Sequence, residues 1–172
     1  MIKVANLMKE KLLTRDEYFS WLKKFPPQYC PFCVQQNNIV IKEGLLWDIV
    51  LNKSPYWRYH FLVIPRRHFI DFSDMSPEEF DEFQEMYKYT LKTLKKAKLT
   101  HLDGSPINKF LFFWRLRQDV FDPLMNVDKP DHFHFHIVPE VEHLWDPILD
   151  NQAISIDIGK IRALFTKSSS SN

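Results

Sequence analysis

The segment from His132 to Val138, with the sequence HFHFHIV, constrains the fold more than any other part of the chain. Side chains alternate between the two faces of a β-strand, so a strand here places His132, His134 and His136 on one face. The phenylalanines between them lie on the opposite face, which predicts packing against a core. The imidazole face predicts chemistry, because imidazole binds metals and also acts as a nucleophile or proton carrier near neutral pH.

The chain has two cysteines, Cys30 and Cys33, in a Cys-Pro-Phe-Cys knuckle. The first ten residues lack the uninterrupted apolar stretch of a signal peptide, so we expect a cytoplasmic, reducing location. In that setting a Cys-x-x-Cys pair indicates metal or redox chemistry rather than a structural disulfide. Two thiolates need two further ligands to complete a closed tetrahedral site, and distant histidines are candidates.

Length and composition exclude several classes of protein. The 172 residues predict a single domain, which we place at residues 1–167, followed by a Ser-rich tail at 168–172 that we expect to be disordered. The formal net charge of +1 gives no electrostatic signature of nucleic-acid binding. Three scattered glycines cannot form a P-loop or a dinucleotide-binding fingerprint, and no apolar run is long enough to span a membrane.

Local signals predict an α+β fold. Thr14 and Glu17 form a capping box that starts an N-terminal helix running to Phe25, and Ser76, Pro77 and Glu79 start a long helix that should reach Leu99. Strand patterns occur at residues 38–42, 45–52, 59–64, 109–117 and 132–139. We therefore expect an antiparallel sheet of about five strands with the long helix packed on it. No clear element is predicted after Glu140.

These motifs resemble the histidine-triad (HIT) superfamily of nucleotide hydrolases and nucleotidyl transferases, in its zinc-containing form. The segment His132–Pro139 is similar to the family signature, and His60–His68 is similar to a strand end of the family. The segment Asp74–Glu79 looks like the start of its long helix. The resemblance covers about residues 29–140.

The resemblance implies roles for individual positions. It implies one structural zinc per chain, held by Cys30, Cys33, His68 and His132. It further implies a nucleotide or nucleoside-phosphate conjugate as the substrate, and a homodimer as a possible assembly.

Within the triad, the resemblance implies that His134 is the nucleophile. Its attack on an α-phosphorus would form a covalent nucleotidyl-histidine intermediate, and His136 would bind the α-phosphate. His60 would lie behind the site, and Asn52 would hold the ribose hydroxyls.

The chain departs from the family pattern just before the triad. The family carries Gly-Gln-Ser/Thr-Val there, whereas this chain has Val127-Asp128-Lys129-Pro130. Phosphate binding then needs another source of positive charge, and Arg115 and Arg117 of the preceding strand are candidates.

Other conspicuous side chains have structural explanations. We expect Arg66 and Arg67 to be solvated rather than bound to phosphate. We expect Trp21, Trp47 and Trp114 to belong to the core.

Two alternative functions remain at this point. The altered segment is compatible with a non-catalytic, zinc-bound scaffold that keeps the triad only for packing. The spacing of His134, His136 and Glu140 also fits a cupin-like metal motif of an oxygenase or isomerase. That fold needs many glycine turns and no long helix, which this sequence does not offer.

Overall fold

Five strands and three α-helices form the described part of the chain, which comprises residues 10–101, 103–114, 131–140 and 156–167 of a computed structural model. In chain order they are α1 (Arg15–Leu22), β1 (Ile39–Glu43), β2 (Trp47–Leu51), β3 (Phe61–Pro65), α2 (Pro77–Lys96), β4 (Phe110–Trp114), β5 (Phe135–Pro139) and α3 (Ile158–Lys167). Short 3-10 turns precede β1 and α2. None of the helices in these ranges combines the length and the apolar character that a membrane span needs.

The strands form one antiparallel sheet in the order β1-β2-β3-β5-β4. Leu62 of β3 pairs with His136 of β5, and Phe113 of β4 pairs with His136 from the other side. The histidine segment is thereby placed between two strands that are distant from it in sequence. The predicted α+β class and five-stranded sheet are confirmed, and this fold is not the double-stranded β-helix that the cupin-like alternative requires.

Both predicted capping boxes are present. The Thr14 side chain accepts a hydrogen bond from the backbone of Glu17, and Ser76 accepts one from Glu79 at the start of α2. Glu79 also forms an ion pair with Arg67 at 2.7 Å, and its backbone oxygen accepts a hydrogen bond from Trp47. These contacts fix the first turn of α2 against β2. Both helices end earlier than predicted, α1 at Leu22 and α2 at Lys96.

The main core lies between one face of the sheet and the helices α2 and α3. Phe133, Phe135 and Ile137, which alternate with the histidines, belong to this core, as the pattern predicts. Trp21 and Trp47 are buried, but the prediction for Trp114 is wrong, since it is 49% exposed at the end of the edge strand β4. The histidines are thus on the opposite face of the sheet from the main core.

Two elements differ from the sequence prediction. Strand β5 begins at Phe135 rather than His132, because the amide of Phe133 donates to the carbonyl of Phe69 at 2.8 Å instead of to a neighbouring strand. Helix α3 was not predicted; its residues Ile161 and Phe165 lie four apart and are both buried in the core. The proposed tail at 168–172 lies outside the described residues, and the single-domain boundary stays a prediction.

Candidate functional site

The two cysteines of the knuckle meet two histidines from distant parts of the chain. The ligand atoms of Cys30, Cys33, His68 and His132 all lie within 4.8 Å of one another. The Sγ atom of Cys30 is 3.4 Å from Nδ1 of His132, and Sγ of Cys33 is 3.2 Å from Nδ1 of His68. The two histidine Nδ1 atoms are 3.2 Å apart. The four residues predicted as metal ligands therefore form one cluster.

The geometry of this cluster fits zinc. A tetrahedral ion with bonds of about 2.0–2.3 Å to nitrogen and sulfur separates its ligand atoms by about 3.3–3.8 Å. Nε2 of His132 donates to the carbonyl of Pro65 at 3.0 Å, which leaves Nδ1 as its ligand atom. Metal-binding histidines typically donate a hydrogen bond from the ring nitrogen that does not bind the metal, because this bond fixes the tautomer and the orientation of the ring.

The protonation of the cluster favours a cation at its centre. Burial lowers the pKa of His132 to about 4, so its imidazole is neutral at physiological pH. Burial and the neighbouring Cys30 raise the pKa of the Cys33 thiol to about 12. Two adjacent thiolates are unfavourable without a compensating charge, and a divalent cation supplies that charge.

The second histidine of the triad, His134, has a defined tautomer. Its Nδ1 atom lies 2.6 Å from the carbonyl oxygen of His132, so Nδ1 carries the proton and donates it. The lone pair of the neutral ring is therefore on Nε2. The ring of Phe32, which lies between the two cysteines, packs against His134 with ring centroids 5.0 Å apart. The knuckle thus contributes both to the metal cluster and to the surroundings of His134.

The third histidine, His136, is oriented by a buried hydrogen-bond chain. The backbone N–H of Tyr56 donates to Nδ1 of His60 at 3.2 Å, which places the His60 proton on Nε2. That proton is donated to Nδ1 of His136 across 2.8 Å. A neutral His136 then carries its own proton on Nε2. His60 is fully buried and contacts His136 on one side, and the side chain of Asn52 lies 3.3 Å from its Nδ1 atom.

The ring of Phe113 stacks on His136 with centroids 4.7 Å apart and an angle of 4° between the planes. The sequence analysis did not single out this residue. Its position in β4, one residue away from the core-facing Phe112, was the available signal, because alternation assigns it to the histidine face.

A narrow groove lies near the triad, and Phe32, which contacts His134, is one of its lining residues. The groove has apolar walls formed by Val50, Leu62 and Phe32. Two aromatic residues of α1, Tyr18 and Trp21, also line the groove. The remaining lining residues are Pro31, Asn37, Asn38, Leu51, Asn52 and Lys53. Asn52, to which the resemblance assigns the ribose hydroxyls, is one of the residues that line this groove. The sequence analysis did not identify Lys53 as part of this groove.

The predicted phosphate-binding arginines, Arg115 and Arg117, and the altered segment 127–130 lie outside the described residues. Arg66 and Arg67 are not merely solvated as predicted. Arg66 pairs with the buried Asp48 at 2.8 Å, and Arg67 pairs with the buried Glu79. Both guanidinium groups thus already have carboxylate partners, which explains their position without a ligand.

Comparisons with known proteins agree with this geometry. Residues 34–143 match the family model described as the HIT domain. A histidine triad nucleotide-binding protein from Sulfolobus tokodaii, described as hypothetical, has a similar structure, with 18% identity, a TM-score of 0.55, and coverage of 81% of this chain and 91% of that chain. A search of curated proteins found no match.

Two further solved structures have the same fold. A Zn-bound histidine triad family protein from Mycobacterium smegmatis is 20% identical, with a TM-score of 0.50 and coverage of 90% of this chain and 96% of that chain. An ADP-glucose phosphorylase from Arabidopsis thaliana, solved with bound ADP-glucose, is 16% identical, with a TM-score of 0.55. That match covers 86% of this chain and 46% of the phosphorylase. The family model spans most of the chain and includes the whole triad, and the chain therefore belongs to the HIT family.

Proposed function

We propose that this protein is a nucleotide hydrolase or nucleotidyl transferase that uses His134 as a nucleophile on an α-phosphate. The observation that carries the proposal is the tautomer of His134. Its Nδ1–H donates to the carbonyl of His132, so the lone pair needed for attack is on Nε2. The nitrogen that must react therefore needs no deprotonation before the attack.

The proposed reaction has two displacement steps. Nε2 of His134 attacks the α-phosphorus, a P–N bond forms, and the bond from phosphorus to the leaving group breaks with its electron pair. Water or another acceptor then attacks the same phosphorus, loses its proton to solvent, and releases the nucleoside monophosphate group and the neutral histidine. His136, with its proton on Nε2, donates to an α-phosphate oxygen in both steps. The hydrogen bond from His60 keeps that proton on the correct nitrogen.

The metal cluster is proposed to hold one structural zinc per chain. Cys30, Cys33, His68 and His132 fill all four positions of a tetrahedral ion, which leaves none for substrate. Their role in the reaction is positional, because the carbonyl of His132 fixes the ring of His134. The Zn-bound relative from Mycobacterium smegmatis supports the identity of the metal.

The proposed substrate is a nucleotide or a nucleoside-phosphate conjugate. Asn52 lies in the groove beside His60 and is proposed to bind the ribose hydroxyls. Arg115 and Arg117 are proposed to bind the phosphate, because a guanidinium group forms charge-assisted hydrogen bonds with phosphate oxygens and the sequence pattern assigns both residues to the strand before the triad. The similar phosphorylase with bound ADP-glucose acts as a precedent for this fold with such a ligand.

We further propose a cytoplasmic homodimer. Cys30 and Cys33 form no disulfide with each other, which is compatible with a reducing location. Strand β4 is at the edge of the described sheet, and the exposed Trp114 stacks on the exposed Phe72, with Phe80 next to them. An apolar edge of this kind is suited to contact with a second copy, which sedimentation velocity would detect as a dimer.

The comparison of His134→Ala with His101→Ala tests the proposed catalysis. His101 lies outside the metal cluster and the groove, and its substitution controls for loss of an imidazole. We expect His134→Ala to abolish turnover of nucleoside phosphoramidates while retaining zinc and nucleotide binding, and His101→Ala to remain active. Substantial turnover by His134→Ala would exclude the nucleophile. Wild-type protein that binds nucleotides but turns none over would support the non-catalytic scaffold instead.

A further inference from the structure

Lys53 is a buried cation in the groove. Its side chain is 8% exposed, and its ammonium group donates to the backbone carbonyl of Asn37 at 2.7 Å. It forms no ion pair with an Asp or Glu in the part of the chain that the structure describes. Burial lowers its pKa to about 8, so it still carries a proton at neutral pH. Buried lysines are rare without a carboxylate, because desolvation of the charge is costly.

The position of Lys53 relative to the triad indicates which part of a nucleotide it would meet. The side chain of His60 contacts the side chain of His136 on one side and that of Asn52 on the other. Lys53 follows Asn52 in the sequence and lines the same groove, and its ammonium group lies 5.3 Å from the ring centroid of Trp21. A nucleotide with its α-phosphate at the triad and its ribose at Asn52 extends its base towards Lys53 and Trp21.

We propose that Lys53 recognises the nucleobase through a carbonyl oxygen, so that the protein prefers guanine, hypoxanthine or uracil nucleotides to adenine nucleotides. The inference rests on the proposed function and adds the class of base to it. Nothing in the family match or in the similar structures assigns this role to Lys53.

The chemistry of the ammonium group explains the preference. Lysine has three N–H donors and no acceptor, and Asn37 uses only one of the donors. Guanine presents the carbonyl oxygen O6, and uracil presents two carbonyl oxygens. Adenine carries an amino donor in place of O6, so an ammonium group directed at that position binds guanine and is repelled by adenine, whose ring nitrogens are the acceptors that remain. A charge-assisted bond in a dry groove gives about tenfold discrimination or more.

Access to Lys53 requires a movement of α1. The cavity beneath Tyr18 and Trp21 has a volume of about 10 Å³, which is room for about one water molecule. Trp21, which lines this cavity together with Val50 and Leu62, must therefore move when a base enters, and its ring then lies beside the base. Binding would consequently change the fluorescence of Trp21, which gives a direct readout at this end of the groove.

The test compares four ligands, the 5′-monophosphates of guanosine, inosine, uridine and adenosine, by titration calorimetry with zinc-loaded protein. We expect the first three to bind at least about tenfold more tightly than the adenosine nucleotide. Lys53→Met should abolish this preference, so that the guanosine, inosine and uridine nucleotides bind no more tightly than the adenosine nucleotide. Lys42→Met is the matched control, because Lys42 lies over the ring of Tyr89 at 4.8 Å and outside the groove.

The outcomes separate this inference from the proposed function. Equal affinity for all four nucleotides, or tighter binding of the adenosine nucleotide, would overturn the role of Lys53 and leave the proposed function standing. A preference that persists in Lys53→Met would do the same. Absence of binding by every nucleotide would overturn both. Tryptophan fluorescence in Trp21→Phe, compared with wild type, shows whether the bound ligand reaches this end of the groove.

Discussion

Replacement of Lys53 by methionine should stabilise the fold in a pH-dependent way. In the folded protein the pKa of Lys53 is about 8, whereas an exposed lysine has a pKa of 10.5. Between these pH values the unfolded chain binds more protons than the folded chain, so the stability of the wild type rises with pH. Below about pH 8 both states are protonated, and the folded protein bears the full cost of the buried charge.

The size of the effect follows from the lowered pKa. At about 1.4 kcal/mol per pH unit, the change from 10.5 to about 8 corresponds to roughly 3 kcal/mol. Partial contact with solvent reduces this, and we expect Lys53→Met to exceed the wild type in unfolding free energy by about 1–3 kcal/mol at pH 7. The part of this difference that comes from the buried charge should fall to about 0.4 kcal/mol near pH 10.5, where the folded lysine is neutral and the unfolded lysine is half deprotonated.

Urea denaturation of wild type, Lys53→Met and Lys42→Met at pH 7 and near pH 10.5 measures this difference. The comparison with Lys42→Met removes the general effect of losing a lysine that contacts an aromatic ring. A stability difference for Lys53→Met that is the same at both pH values would refute the buried-charge argument. So would a wild type that is more stable than Lys53→Met at pH 7.

Two further predictions concern the metal cluster and the phosphate. Purified protein should contain about one zinc per chain by elemental analysis. The substitutions Cys30→Ser and His132→Ala should each cause loss of the zinc and destabilise the fold. Zinc-free protein that is as stable as the zinc-loaded form would contradict this prediction. Arg115→Gln or Arg117→Gln should weaken nucleotide binding by about 1.5–3 kcal/mol in calorimetry. Arg66→Gln should change that affinity little, because Arg66 is bound to Asp48, and unchanged affinity in both strand variants would exclude them as phosphate ligands.

The elements that the sequence predicted well are those with strong local signals. The capping boxes at Thr14 and Ser76 fix where α1 and α2 begin, because side chains within four residues satisfy the free amides of the first turn. The alternation of histidine with apolar residues from His132 onwards correctly separated the two faces of the sheet.

Features that depend on distant partners were not accessible in the same way. Strand β5 begins only at Phe135 because the amide of Phe133 donates to the carbonyl of Phe69. No local sequence pattern encodes this contact. Trp114 is hydrophobic but lies on an edge strand, and the sequence does not say which strand is at the edge. The spacing of Ile161 and Phe165 carried a helical signal, and Asp157 caps α3 by accepting a hydrogen bond from the backbone of Lys160 at 3.0 Å, so this helix was missed although its local signals are present.

The residues of the candidate site also divide into those that a local sequence pattern identifies and those that depend on distant partners. The spacing of the two cysteines indicated a metal site, but their histidine partners could be named only through the family resemblance, because Cys30 and His132 are separated by 102 positions. The tautomers of His134 and His136 required the structure, since they depend on the carbonyl of His132 and on the chain from Tyr56 through His60. Lys53 was missed because only the fold shows that it is buried in the groove.

The most direct test of the account is the detection of a covalent nucleotidyl group on His134. Wild-type protein and His134→Ala are incubated with nucleoside phosphoramidates and nucleotides, quenched at alkaline pH to preserve P–N bonds, and examined by intact-mass and peptide mass spectrometry. We predict a mass increase of one nucleoside monophosphate group on the wild type, located on the peptide that contains His134, and none on the variant. An adduct on any other residue, or turnover without an adduct in wild-type protein under rapid quenching, would contradict the proposed mechanism.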